Sequence, residues 1–377
     1  MKKNWLVIGI MLLFIGANVN SSATSEQIHG KAVLTVDDEP GDGDYTSIRD
    51  AVWSAQPGDT IEVYSGTYNE SDIHLGKRRL TLEGIPSELG SGNDTGKPVV
   101  ISSAYDTIFD VRNENITITG FVIIDTVWPT VTNPIHIWED NCTFSYNDIR
   151  GGWDALMIGG DGINPDIYPL YTRIIGNTIE GNTASGIGYR GTFGNISGNT
   201  IRGCTNAAIG VGDQSRSTII SQNTIQDCGY GIHIINISDS VITYNHISDV
   251  EIGINLGAFG TKNSSIEMNQ IEECGIGIYM EISQSQIEVH RNNFMNNSVH
   301  LRIVKHLQFK DNYVFQRIVD ANYYDSWRGS GSKFILGFTI LAFIPLLIPE
   351  MISFIPVLMP RIYRDMNPAH EPYIIGG

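Results

Sequence analysis

The sequence predicts an all-β chain: a single-stranded right-handed parallel β-helix of about ten coils, 22–24 residues each, with a helix capping its N-terminal end. Two interleaved periods and one local pattern predict it. An Asn-x-apolar triplet recurs at Asn147, Asn177, Asn199, Asn223, Asn245, Asn269, Asn292 and Asn312, with spacings of 30, 22, 24, 22, 24, 23 and 20 residues. In phase with it run Gly186-Ile187, Ala208-Ile209, Gly231-Ile232, Gly253-Ile254 and Gly277-Ile278, then Val299. A period of this length marks a stacked repeat architecture. Between the markers lie short alternating runs, such as residues 231–235 and 218–221, rich in isoleucine and bounded by Gly, Asn and Asp. Such runs are strands, and their boundaries are turns. Leucine-rich repeats share the unit length but need a dense Leu ladder, and isoleucine stands in its place here.

The elements follow in chain order. Lys2 and Lys3, an apolar run from Trp5 to Ala17 and the small residues Ser21-Ser22-Ala23 form the three parts of a secretory signal over residues 1–23, so the protein is expected to be exported. A retained anchor is the alternative, although the run is short for a membrane span. Residues 46–56 place Ile48, Ala51, Val52 and Ala55 on one helical face, and Pro57-Gly58-Asp59 stops that helix. It is the expected cover for the open edge of the first coil, which begins at Thr60. The β-helix then fills residues 24–330. Each coil pairs with the next at about 4.8 Å, and its isoleucines stack as interior ladders. The recurrent asparagines have a structural role, which is to accept a left-handed bend and to bond amide to amide between coils. Cys204, Cys228 and Cys274 each follow a repeat Asn by five residues and so share one column. Cys204 and Cys228 are close enough for a disulfide, but an apolar thiol ladder is the simpler reading.

Residues 331–377 end the chain. Phe334 to Pro360 is apolar with Glu350 as its one charge, and two readings stand: an apolar cap on the last coil or a membrane-associated tail. Pro345, Pro349 and Pro356 would interrupt a helix, and the stretch before Pro345 is too short to span.

Composition removes several function classes. Charged residues are 17% of the chain, too few for a coiled coil or an acidic disordered segment. The net charge is −17, and −19 without Lys2 and Lys3, which repels phosphate backbones and excludes nucleic-acid binding. Three column cysteines without interleaved histidine do not make a zinc site.

The run Asp44-Tyr45-Thr46-Ser47-Ile48 through Ala51, with Pro57-Gly58-Asp59-Thr60-Ile61 and Gly66-Thr67-Tyr68, resembles the N-terminal signature of secreted β-helix proteins of the pectate-lyase-like superfamily. The branch it resembles holds carbohydrate-binding and sugar-hydrolase repeats and the periplasmic copper-accessory protein of nitrous oxide reductase, the NosD type. Asn322-Tyr323-Tyr324-Asp325-Ser326-Trp327 is similar to the motif after the last coil of such chains, and residues 367–373 are similar to a tail common among them. The resemblance implies the fold over residues 33–330 and leaves activity open. The Asn-Thr-Asp and Gly-His-Gly motifs of the polygalacturonases and the Asp-Pro-His-Asp motif of the mannuronan epimerases are absent, no Asp-Asp pair occurs along the coils after Thr60, and Arg302-Ile303-Val304-Lys305 only partly matches an Arg-Ile-Lys motif.

Side chains alternate in and out along a strand, so the outward columns can be written down. One runs His136, Met157, Gly188, Gly210, His233, Asn255, Tyr279, His300; the next runs Trp138, Gly159, Arg190, Gly212, Ile235, Gly257, Glu281, Arg302. The glycines imply a shallow trough. His136, Trp138, Tyr279 and Glu281 are its expected substrate-binding residues, since aromatic faces take pyranose rings and charged groups take hydroxyls or uronates. Asp154, Asp161, Arg190, Asp213 and His233 are the catalytic candidates: the carboxylates as acid, base or calcium ligands, and Arg190 as a lyase-type base. Two long segments, 125–134 with Trp128 and Pro129 and 159–172 with Asp161, border the trough. The expected partner is a polysaccharide or cell-surface glycan bound by a monomer, with calcium the one candidate cofactor. A copper-accessory role would call for clustered Met and His, and no Met-x-x-Met or His-x-His pair occurs. A purely structural envelope protein is the third reading.

Overall fold

A computed structural model describes residues 31–127, 132–160, 166–257, 261–282, 287–306, 319–320, 322–324, 333–348, 351–365, 368–369 and 371–375. The expected leader, the Trp128-Pro129 loop, Asp161 and Asn312 lie outside the described residues. From Ala32 onward the chain forms one compact unit. It is a right-handed parallel β-helix whose coils each give one strand to three long sheets of 12, 11 and 12 strands. The 11-stranded sheet counts eleven coils, against about ten expected.

One coil shows why these residues wind this way. Asn195–Ser197 lies in the first sheet, Thr200–Arg202 in the second and Ala207–Val211 in the third. The central residues Ile196, Ile201 and Ile209 point inward and are fully buried. They stack in register on Ile220, Ile225 and Ile232 of the next coil. Each corner is turned by a residue of positive φ. At the corner between the first and second sheets these are Tyr146, Gly176, Gly198, Gln222, Tyr244, Met268 and Arg291.

Those residues each precede a ladder asparagine, so the asparagines themselves do not take the left-handed bend. This corrects the expectation from sequence. The reason is that the Asn side chain is occupied elsewhere. Asn199 Nδ2 donates to Asn223 Oδ1 at 3.0 Å and to Ile174 O at 2.9 Å, and the Asn199 backbone N–H donates to the same Asn223 Oδ1. An amide serving both neighbouring coils has to point into the corner, and the preceding residue makes the turn. The pattern repeats from Asn147 to Asn292. Its next member is Asn322, which accepts from Asn292 Nδ2 at 3.0 Å. The ladder therefore closes on Asn322, where the spacing rule expected Asn312. The triplet is ambiguous there, because Tyr324, two residues on, is also buried and stacks on Phe294 at 5.2 Å.

The four cysteines are free and buried. Cys204 N–H donates to Cys228 Sγ at 3.4 Å, so the two stand in adjacent coils as expected. In the next coil Val250 takes the column position, and after Cys274 it is Asn297 that accepts from the Cys274 N–H.

At the N-terminal end, strand Val33–Val36 pairs in parallel with Thr60–Val63, one strand earlier than the sequence suggested. The helix runs Ile48–Ser54, capped by Ser47, and buries Ile48, Ala51 and Val52 with Ala55 behind them. Glu70 accepts from the Ile48 and Arg49 N–H groups, placing a carboxylate at the helix start. Asp59 ends the helix by accepting from the Gln56 N–H at 2.7 Å.

At the other end, Lys333–Ile348 and Met351–Asp365 form an antiparallel hairpin. Its Gly337–Ile340 segment pairs in parallel with Ile303–His306 and so extends the third sheet. Beyond it, Ala369 N–H donates to Asn322 O, and Asn293 holds Tyr373 by two hydrogen bonds of 2.8 and 2.9 Å. The tail is thus pinned to the last coils. No helix among the described residues is long and apolar enough to cross a membrane.

Candidate functional site

The outward face of the third sheet carries most of the expected site residues, and the register decides which of them meet. Pairing runs His74, Asp110, His136, Met157, Gly188, Gly210, His233, Asn255, Tyr279, Arg302. In the chain, 125–134 lies between Val122–Asp125 of the second sheet and Ile135–Ile137 of this one, and 159–172 follows Leu156–Ile158 of this one. The last member is Arg302, two residues beyond the expected His300. Val299, Leu301 and Ile303 alternate with polar residues, so a shift of two keeps the same face inward. Glu281 then stands beside Val304 rather than Arg302.

Three groups of side chains result. The first gathers His74, Asp110, Arg112, His136 and Trp138. Trp138 Nε1 donates to Asp110 Oδ1 at 2.9 Å, Arg112 Nε to Asp110 at 2.9 Å, and His74 Nδ1 lies 3.2 Å from Asp110 Oδ2. The His136 ring stacks on Trp138 with centroids 3.7 Å apart, and the Arg112 guanidinium sits 4.0 Å from the same ring. His136 Nε2 lies 2.9 Å from Gly159 O. His136 and Trp138 are each only 6% exposed, so Trp138 offers no free face to a pyranose. They brace this end of the trough. Asp110, Arg112 and His74 were missed from sequence because the columns were begun at His136; one step back along the register reaches Asp110 and Arg112, and a second reaches His74.

The second group surrounds Gly210. A Cβ there would meet nothing nearer than Ser185 Oγ at 3.7 Å, so the floor is open. On one side is Gly188, where a Cβ would lie 3.1 Å from Asp154 Oδ2; on the other is His233. Beside them Arg190 lies over Gly212, 2.7 Å from where a Cβ would stand, and donates from Nη1 to Gly160 O at 3.1 Å. Three catalytic candidates, Asp154, Arg190 and His233, thus border one glycine notch. Their electrostatics differ. Burial pushes the Asp154 carboxyl above the ordinary carboxylate range, against the opposing hydrogen bond from the Ser185 N–H at 2.9 Å. Burial holds the His233 imidazole below its usual value and favours the neutral ring. Asp213 lies apart, exposed at the corner after Gly212, where it accepts from Asn236 Nδ2 at 2.6 Å.

The third group is Tyr279, Glu281 and Arg302. Tyr279 donates to Glu281 Oε1 at 2.7 Å, and burial with that carboxylate raises the phenol. From Trp138 to Glu281 the column climbs six coils, about 29 Å at about 4.8 Å each. The expected binding residues therefore mark a long track along the sheet. A cleft of about 560 Å³ lies away from it, lined by Arg150, Glu180, Arg202 and Asp227 at the corner between the second and third sheets.

The fold has solved counterparts. The A-module of the Azotobacter vinelandii mannuronan C-5 epimerase AlgE6 superposes with a TM-score of 0.53 at 12% identity, over 73% of this chain and 80% of that one. The AlgE4 A-module gives 0.52 at 11%, over 73% and 81%. A GH87 alpha-1,3-glucanase catalytic domain in complex with tetrasaccharides gives 0.51 at 13%, over 70% and 55%. At such identities the likeness is one of fold. No curated protein matches the sequence.

A family model described as "Periplasmic copper-binding protein (NosD)" matches residues 54–257 and 173–329. Copper favours nitrogen and sulfur donors. Among the described residues, the groups of three or more potential ligands within reach of one ion are all carboxylates: Asp37, Glu39, Glu88 and Asp38, Glu39, Asp94. Burial pushes the Cys142 and Cys274 thiols up to about 12, which favours the protonated form, and the Cys204–Cys228 pair offers two sulfurs only. These His, Cys, Asp and Glu groups do not fit a preformed copper centre. With more than half its length matched by that model and with the β-helix in place, the chain belongs to the NosD family.

Proposed function

We propose that the protein is an exported β-helix protein that binds a polysaccharide along the third sheet, centred on the Gly210 notch. The observation that carries this reading is the placement of Asp154 beside Gly188, Arg190 over Gly212 and His233 beside Gly210, around an open glycine floor. Arg190 neutralises a uronate carboxylate, and its guanidinium is held in place by Gly160 O. Burial raises the Asp154 carboxyl and lowers the His233 imidazole, so an acid Asp154 would donate to a sugar oxygen while the neutral His233 accepts from a hydroxyl, a pairing also suited to proton transfer. Tyr279, Glu281 and Arg302 form a distal subsite, as a polymer ligand needs. Mannuronan epimerase and alpha-1,3-glucanase modules of the same architecture support the ligand class. In this reading the apolar 334–360 block closes the coil end and touches the membrane surface; fractionation of the full chain beside one ending at residue 330 tests that.

Calorimetry with oligouronates and neutral oligosaccharides, run beside a copper titration, tests the main reading. Arg190→Ala is expected to weaken oligouronate binding by about 1–3 kcal/mol, the range for a charged anchor. Unchanged affinity in both Arg190→Ala and His233→Ala sinks it. Stoichiometric copper binding without saccharide binding would favour the copper-accessory role, and binding of neither would favour a structural one.

A further inference from the structure

The N-terminal end holds a cluster of acidic side chains that saccharide binding at the notch does not involve. Three consecutive acids, Asp37, Asp38 and Glu39, follow the first strand and meet Glu88 and Asp94 from the segment after Thr81–Gly84. One carboxylate oxygen from each of Asp37, Glu39 and Glu88 lies within 4.8 Å of the others, and the same holds for Asp38, Glu39 and Asp94. Like charges at such spacing repel unless something positive stands between them.

Acidic clusters on surfaces are usually relieved by water, but this one is not wholly exposed. Asp37 is fully buried, and its Oδ2 has no hydrogen-bond donor; its Oδ1 takes only the Glu39 N–H at 3.1 Å. Asp38 Oδ1 and Glu39 Oε2 are likewise buried and without a donor. Among the described residues no lysine, arginine or histidine pairs with any of the five acids. A buried carboxylate with neither donor nor counter-charge is costly, and a cation removes that cost.

The backbone is shaped around these groups. A Cβ on Gly66 would collide with the Asp38 carboxylate, and one on Gly92 would lie 2.5 Å from the Glu88 carboxylate. Remaining hydrogen bonds aim the acids: Thr67 N–H donates to Asp38 Oδ2 at 2.9 Å, and Asp94 N–H to Glu88 Oε2 at 2.8 Å.

We propose that Asp37, Glu39 and Glu88, flanked by Asp38 and Asp94, bind a calcium ion that fastens the segment after the first strand to the 85–98 loop. All-oxygen donors with three or more carboxylates suit calcium, whose six to eight ligands can be completed by water and carbonyls. Magnesium demands a tighter octahedron and keeps its water, so calcium is preferred.

The full chain, stripped with EDTA, is titrated with calcium chloride by calorimetry and with terbium under tyrosine excitation, since Tyr68 lies against the cluster. Calcium is expected to bind, to outcompete equal magnesium and to raise the melting temperature. Glu88→Gln and Glu39→Gln are expected to weaken binding roughly tenfold or more. In EDTA, Glu39→Gln is expected to melt above the parent, because it relieves repulsion, and below it in calcium. That crossover is what a merely structural acid would not produce. Absence of calcium and terbium binding by the folded full chain, or unchanged binding in both variants, overturns the proposal.

Discussion

Replacing Asn223 by alanine tests the account of the ladder most directly. The Asn223 side chain makes four hydrogen bonds: Oδ1 accepts from the Asn199 N–H and Nδ2 at 3.0 Å each, and Nδ2 donates to Ile196 O at 3.0 Å and Asn245 Oδ1 at 2.9 Å. After truncation, Asn199 Nδ2 keeps Ile174 O, and Asn245 Oδ1 keeps the Asn223 N–H. The Asn199 N–H keeps nothing. One orphaned buried donor costs about 1–3 kcal/mol, and the three other lost bonds about 0.5–1.5 kcal/mol each. Relaxation recovers part of that sum, so a loss of about 3–5 kcal/mol is expected. Urea unfolding followed by far-ultraviolet circular dichroism measures it. Hydrogen exchange at the Asn199 amide locates it, since a solenoid can open coil by coil. Asn236→Ala is the control, because Asn236 makes one exposed bond to Asp213 and should cost under about 1 kcal/mol. If Asn223→Ala costs no more than that control, the ladder does not hold the corner and the reasoning fails.

Ile187→Ala, in a fully buried position between Leu156 and Ile209, should cost about 2–5 kcal/mol and leave saccharide affinity unchanged, as unfolding and calorimetry will show. Gly253→Ala should disturb coil stacking, because its Cβ would lie 2.5 Å from the Gly277 carbonyl oxygen; a lowered melting temperature checks this, and an unchanged one refutes it. His233 has a folded pKa depressed below 6.5 by burial, so its stabilising contribution is complete above 6.5 and is lost as pH falls through the folded value. Parent and His233→Gln stability curves should therefore diverge over that window, with the parent falling more steeply. Trp138→Ala should cost about 3–5 kcal/mol of stability and release Arg112 and His136, with a smaller effect on affinity than Arg190→Ala.

The repeat was legible before any coordinates because it is written locally. Each coil restates an inward isoleucine, a turn and an asparagine, and stacking requires that these fall at equal intervals, so period alone determined the fold, the interior ladders and most of the outward columns. Periodicity faltered where intervals were unequal or the pattern was degenerate. At the last coil, alternation admitted both Val299 and Leu301, and Asn-x-apolar admitted both Asn312 and Asn322; backbone pairing selected Leu301, and the side-chain amide bond from Asn292 selected Asn322. Periodicity also fixes where a side chain starts without fixing where it ends. Trp138 was placed correctly on the outer face, yet it lies flat between Arg112 and His136 and is buried there. Asp154, Arg190 and His233 come from three different coils, and their placement along Gly188, Gly210 and Gly212 depends on the residues inserted between those coils. The acids at 37–39 reach Glu88 and Asp94 across some fifty residues that carry no period at all. Lateral contacts of this kind depend on loop paths and side-chain rotamers, which tertiary packing decides.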